Sequence, residues 1–361
     1  MVLRKGSMEN LEMRDFWLGK HVLVTGHTGF KGSWLSLWLE QLGARVAGLA
    51  LPPQIHNNLF DQLGLADRID HQIGDIRNAD IVATRIAEVQ PDVVFHLAAQ
   101  SLVITGYDSP LKTWQTNVMG SAHLIEGLRA LPKRCATVMV STDKVYENSE
   151  DGRAYCEDDA LGGHDPYSAS KAAMEIAVSS WRRSFLGDTK IRMASARAGN
   201  VIGGGDWAEN RIVPDIVRAI TADEKISVRY PAAVRPWQHV LEPLAGYLTL
   251  AQKLCTSDDA SFQTSFNFGP KPTEARPVRD LVNNALLHWQ GNWSDTSQPS
   301  NRHESGLLSL DSQKSQKVLN FHSRWSFEQA VAQTMLWYKA VHEGADPLAL
   351  TRTQIVEFSA L

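Results

Sequence analysis

Residues 26–32 read GHTGFKG, directly behind His21-Val22-Leu23-Val24 and ahead of Trp34-Leu35-Ser36-Leu37-Trp38-Leu39. Three glycines at three-residue spacing, between a strand and a helix, mark a place where the backbone closely approaches something. Glycine allows positive φ and close contact, and the free N–H groups and dipole at a helix start favour an anion such as phosphate. A tight turn with no ligand would carry the same glycines, so the flanking sequence must decide.

Outward from the turn, short apolar runs alternate with segments of helical period. Val22–Val24 reads as strand one and residues 33–42 as its helix; ARVAGLAL is strand two, HQIGDIR a strand end, DIVATRIAEVQ a helix and DVVFHLAA a strand. NVMGSAHLIEGLRAL, ATVMVSTDKVY, SASKAAMEIAVSSWRRSF and KIRMASAR continue the alternation, giving six strands in order. This pattern specifies βαβ units and a parallel sheet. Doubly wound sheets of the Rossmann type place a dinucleotide pyrophosphate after the first strand, where the glycines stand.

After residue 198 the texture changes, with the glycine-rich AGNVIGGGDWAENR and then helices separated by loops. The expected organisation is a dinucleotide-binding domain over 18–198, to which residues about 235–268 return, and a smaller C-terminal substrate domain over 199–361. Its last helix is expected in SFEQAVAQTMLWYKAVHEG, with Ser326 as N-cap and Gly344 as stop. The GGGDW glycines are expected to form a mobile loop near a ligand. No repeat of fixed period is present.

With 361 residues, the chain has room for both a cofactor half and a substrate half. A hydrophobic share of 43%, a charged share of 21% and a net charge of −4 are ordinary for a globular protein, and favour a small ligand over nucleic acid or an anionic membrane. Cys135, Cys156 and Cys255 are an odd, widely spaced set without metal-ligand spacing, which suggests free thiols in a reducing compartment. With no secretory pattern and no apolar run near ~18 residues, the expected location is cytoplasmic. Residues 1–8, MVLRKGSM, have no periodicity and read as an added leader.

Asp75 and Ile76 in GDI, and His96 to Gln100 in HLAAQ, close the third and fourth strands where adenine and ribose would pass. The candidate cofactor residues are therefore Gly26, Thr28, Gly29, Phe30, Lys31, Gly32, Asp75, Ile76, Leu97, Ala98 and Ala99. Strand two ends Gly48-Leu49-Ala50-Leu51-Pro52-Pro53, with neither an acid for ribose hydroxyls nor an Arg for a 2′-phosphate, so this turn does not decide between NAD and NADP.

YSASK sets Tyr167 and Lys171 one helical turn apart on one face. A nearby ammonium stabilises tyrosinate and lowers the phenol pKa from about 10, as a general base requires. Ser141, Thr142, Asp143 and Lys144 cluster at the carboxyl end of a strand, where open α/β sheets contact ligands. Asn117 is either a helix N-cap or a group that orders the active-site water or lysine.

The glycine turn, STDKVY and YSASK together resemble the extended short-chain dehydrogenase/reductase family acting on nucleotide sugars, over nearly the whole chain from about residue 18. GHTGFKGSWL, STDKVYEN, RAGNVIGGGDWAENRIVPD and RPWQHVLEPLAGYL narrow the resemblance to its 4,6-dehydratases, in the branch acting on CDP-glucose. That branch carries Lys144 where relatives acting on dTDP-glucose carry a glutamate. The resemblance implies NAD as cofactor, Tyr167 as base at the sugar 4-hydroxyl, Thr142 binding that oxygen, and Lys171 holding the ribose. It also implies Asp143 as the acid that expels the C6 hydroxyl, with Lys144 as base at C5 or as enolate stabiliser.

Arg211 and Arg235 offer forks for the substrate pyrophosphate. Asn200 and His239 can hydrogen-bond sugar or phosphate, and Trp207 or Trp237 can flank the nucleoside. The resemblance implies a homo-oligomer, dimer or tetramer, through the helix bearing Tyr167. A 4-epimerase or decarboxylase of the same superfamily needs Tyr167 and Lys171 but not the Asp143/Lys144 pair. A catalytically silent NAD-binding protein needs neither.

Overall fold

The computed structural model describes residues 13–149, 151–297 and 308–361; the proposed leader at 1–8 lies outside the described residues. The strands of the central sheet are β1 (His21–Thr25), β2 (Arg45–Ala50), β3 (Asp70–Ile73), β4 (Val93–His96), β5 (Cys135–Val140), β6 (Ile191–Ala198) and β7 (Ser265–Phe268). They form one seven-stranded sheet in the order β7-β6-β5-β4-β1-β2-β3. All six pairings are parallel. The order reverses between β1 and β4, which creates a crevice at their carboxyl ends.

Alternation along β1 assigns the layers. Val22 and Val24 face a core shared with α1 (Phe30–Gln41) and α6 (Leu241–Thr256). Leu23 faces a second core shared with α2 (Ala79–Val89), α3 (Ser121–Arg129) and α4 (Pro166–Ser184). Both faces are covered, so β5 is buried at all of its positions and reads as a continuous apolar run.

Beyond β6 the chain forms α5 (Ile212–Thr221), then α6, and returns as β7 alongside β6, pairing Ser265 with Ser195 and Phe268 with Ala198. It continues through α7 (Val278–His288) and α8 (Phe327–His342) to α9 (Pro347–Ser359). Ser326 starts α8 with a capping box to Gln329, and Gly344 follows with φ +96°. The helix expected to be last is not: α9 follows, with Asp346 accepting from the Leu348 and Ala349 amides and Pro347 in the first turn. That Asp-Pro start is a helix signal the reading overlooked. Phe358 of α9 packs edge-on to Trp38 of α1 with 5.9 Å between ring centroids, fastening the C-terminus to the sheet.

Candidate active site

The three glycines of the first turn have different tasks. Gly26 has φ +77°, and a Cβ there would stand 2.6 Å from the Ala98 nitrogen; one at Gly32 would stand 2.1 Å from the Gly26 oxygen. Both places are taken by the protein's own backbone. Gly29 is exposed, and its Cβ would meet only the Gly26 oxygen, at 3.3 Å. It opens α1, whose first turn has no side-chain cap, leaving the helix N–H groups for an outside anion. A dinucleotide pyrophosphate fits this cradle.

Around it, Thr28 Oγ1 donates to the Leu51 carbonyl at 2.9 Å, and Phe30 lies against Gly203. Leu97, Ala98 and Ala99 are half-buried at the end of β4, and Ile76 is buried against Gly120. Asp75 is already engaged by Arg77 at 2.5 Å, which holds its carboxyl below the usual range.

After β5, Asp143–Val145 form a single 3₁₀ turn. The Thr142 hydroxyl donates to Asp143 Oδ1 at 3.0 Å and accepts from the Lys144 amide at 3.4 Å. Asp143 is 2% exposed, and its Oδ2 has no hydrogen-bond partner among the described residues. Burial pushes this carboxyl up, against the opposing pull of Lys144, Thr142, Arg235 and Lys31. Burying a carboxylate is costly, so the surroundings favour its protonated form more than water does.

Asp165 caps α4 through the Tyr167 and Ser168 amides, fixing the turn that carries Tyr167. The Tyr167 phenol is pushed up to about 12 by burial, while the Thr142 hydroxyl and Arg211 pull it down. One helical turn on, Lys171 Nζ donates to the Val140 carbonyl at 2.8 Å. Burial lowers Lys171 itself to about 8, opposed by Glu175. Lys31 is likewise lowered to about 8 by burial, then by Arg211 and Lys171, with Asp143 opposing. Lys31, Asp143, Tyr167, Lys171, Arg211 and Arg235 thus form one mutually sensed group.

Arg211 donates to Asp206 Oδ2 at 2.8 Å and reaches Ser101 Oγ at 3.4 Å. Arg235 is 5% exposed and close enough to Asp143 to act on it. Asn200 is half-buried just beyond β6, its carbonyl accepting from the Gln238 amide. His239 is 0% exposed and set edge-on against Trp34 and Trp325, its Nε2 without a hydrogen-bond partner among the described residues. Trp237 is also core, donating to the Arg276 carbonyl, whereas Trp207 is half-buried against Tyr338.

Two further expectations are corrected. The GGGDW glycines are packed: a Cβ at Gly204 would stand 2.0 Å from the Trp337 ring, and one at Gly205 2.5 Å from Leu59. Asn117 is no N-cap; it sits within a π-helical segment, Gln115–Gly120, and its side chain bonds both backbone groups of Gln100.

Sequence reading missed the group behind the lysine. Glu175 binds Arg197 through Nε at 3.0 Å and Nη2 at 3.1 Å, and Arg197 reaches the Tyr146 hydroxyl at 2.8 Å, with both charged side chains almost wholly buried. The signal was present, since Tyr167, Lys171 and Glu175 are spaced four apart on α4. Asp206 was missed as well, though it stands inside the GGGDW stretch.

A parallel sheet, an open glycine cradle at its switch point, and a buried Tyr-x-x-x-Lys facing an acid at the end of β5 define an extended short-chain dehydrogenase/reductase. Residues 23–334 match the family described as GDP-mannose 4,6 dehydratase, and the chain belongs to that family. It is 42% identical to a CDP-glucose 4,6-dehydratase of Salmonella typhimurium, across 96% of this chain and 98% of that one. It is 27% identical to a dTDP-glucose 4,6-dehydratase of Xanthomonas campestris pv. campestris, across 88% and 92%. In fold it resembles a dTDP-glucose 4,6-dehydratase from Streptomyces venezuelae solved with NAD, at TM-score 0.73, 22% identity and coverage of 91% and 99%. It also resembles a UDP-glucose 4-epimerase from Thermotoga maritima, at TM-score 0.77, 20% identity and coverage of 89% and 99%. Among the described residues, no cluster could hold a metal ion and no helix is long and apolar enough to cross a membrane.

Proposed function

We propose that this chain converts CDP-D-glucose to CDP-4-keto-6-deoxy-D-glucose with NAD, as a cytoplasmic hydro-lyase. The observation that carries the dehydration is Asp143, a buried carboxyl raised by its surroundings beside Thr142. A 4-epimerase has no use for such an acid. The likeness to the Salmonella typhimurium enzyme supports cytidine as the base.

NAD is to be held by Gly26, Thr28, Gly29, Phe30, Lys31 and Gly32, by Asp75 and Ile76, and by Leu97, Ala98 and Ala99, with Lys171 at its ribose. When bound, NAD would supply a hydride acceptor at C4 and the hydride returned at C6. Tyr167, as the phenolate that Thr142 and Arg211 favour against burial, receives the 4-hydroxyl proton and becomes the phenol. The 4-ketone acidifies C5. Asp143 donates its proton to the departing C6 hydroxyl, and Lys144 removes the C5 proton or stabilises the enolate. Water leaves with the Asp143 proton, and a proton returned to C5 completes the product.

Residues beyond 198 are to supply most of the substrate side, with about 235–268 returning to the cofactor-binding part. There Arg211 and Arg235 bind the pyrophosphate and Asn200 the sugar. A homo-oligomer, dimer or tetramer, forms through the Tyr167 helix; exposed Ile176 on α4 and Leu111, Trp114 and Met119 on the segment 110–120 that packs against α4 support that surface.

Turnover in deuterium oxide tests the proton steps. The product should carry solvent deuterium at C5. A product with C5 unlabelled would reject the Asp143/Lys144 chemistry.

A further inference from the structure

Thr25, His96, Asn117, Ser121 and Ser170 are all at most 1% exposed and have no part in the steps above. We propose that His96 is a positioning residue, a neutral imidazole carrying its proton on Nε2, at the centre of a one-directional hydrogen-bond chain. That chain ties the backbone of Ala98, in the dinucleotide cradle, to the helical turn that carries Tyr167.

The direction follows from counting protons. Ser170 Oγ lies 2.7 Å from the Tyr167 carbonyl, which can only accept, so the hydroxyl proton points there. Ser170 then accepts from Asn117 Nδ2 at 2.9 Å. The Asn117 amide cannot be flipped, because its Oδ1 receives the Gln100 N–H at 2.8 Å while its Nδ2 donates to the Gln100 carbonyl at 3.0 Å. Ser121 Oγ spends its one proton on the Asn117 carbonyl at 2.7 Å. It must therefore accept at its 2.9 Å contact with His96 Nε2, which places the imidazole proton on that nitrogen.

His96 Nδ1 is then bare and accepts the Thr25 hydroxyl proton at 2.7 Å. Thr25 Oγ1 in turn accepts the Ala98 N–H at 3.3 Å. Every donor from Ala98 to Tyr167 points the same way, and reversing any link leaves a buried group unmet. Burial, with Lys171 as the charged neighbour that acts on the ring, lowers His96 to about 3 and keeps it neutral. The π-helical turn serves this arrangement by aiming Asn117 inward from Gln115–Gly120.

The consequence for the cofactor rests on the proposed function, so the test has two arms. In ¹⁵N-labelled protein without ligand, the His96 ring nitrogens are assigned by their loss in His96→Gln. Nε2 should be protonated and Nδ1 bare, without change from pH 6 to 9. A protonated Nδ1, or a titration in that window, overturns the assignment. In the second arm, calorimetry measures NAD affinity: Thr25→Val should weaken it about tenfold, and Thr25→Ser, which keeps the hydroxyl, by less than twofold. Equal effects of the two variants overturn the coupling to the cradle. If the wild-type protein binds no NAD, the proposed function fails, while the ring nitrogens still decide the tautomer.

Discussion

Asp143 shows how a single side chain can serve the reaction at the expense of the fold. Its folded state holds the proton more tightly than its unfolded state, so stability falls as pH rises from the unfolded carboxyl range through the raised value. Asp143→Asn keeps the shape and removes that penalty. The variant should melt at a higher temperature than wild type at pH 8, by calorimetry, while losing at least a hundredfold in dehydration rate. A melting temperature below wild type would mean that the carboxyl is charged and stabilising in the folded protein. The same proton dictates that activity declines on the alkaline side as Asp143 ionises.

At the scale of elements, the β1–α1 turn separates the glycines that build the protein from the one that serves the cofactor. Gly29 has φ −81°, which alanine adopts freely, and its Cβ would meet only one oxygen, at 3.3 Å. Gly29→Ala should change stability by less than about 1 kcal/mol yet weaken NAD binding at least tenfold by calorimetry. Gly204→Ala should do the reverse, costing roughly 1–3 kcal/mol by overpacking against Trp337, as denaturant unfolding would show. Sequence placed β1–β6 and the Tyr-x-x-x-Lys helix correctly because strand alternation and the four-residue spacing are local signals. It misjudged the GGGDW turn, since what makes those glycines necessary is Trp337 and Leu59, distant in the chain. The choice left open at Asn117 has a related cause, as a π-helical turn leaves no periodicity to find.

Across the whole molecule, the C-terminal segments are held by charges that no local pattern announces. Glu242, at the start of α6, accepts from the Arg324 and Trp325 amides at 2.9 and 2.7 Å and fastens the entry to α8. Burial raises this carboxyl to about 7 from 4.5. The folded protein therefore binds the extra proton between those values, and stability declines across pH 4.5–7 by roughly 3 kcal/mol. Glu242→Gln retains an acceptor for both amides and should flatten that slope in melting temperature. An unchanged slope would place the titration elsewhere. The burial of His239 was equally hidden, because Trp34 and Trp325 reach it from opposite ends of the sequence.

The most direct measurement is to incubate the purified protein with CDP-glucose and catalytic NAD, following the sugar nucleotide by mass spectrometry and the cofactor by absorbance. Asp143 dehydration predicts loss of one water per substrate with no net reduction of NAD. A product of unchanged mass, or no turnover of CDP-glucose while another nucleotide sugar reacts, would contradict it.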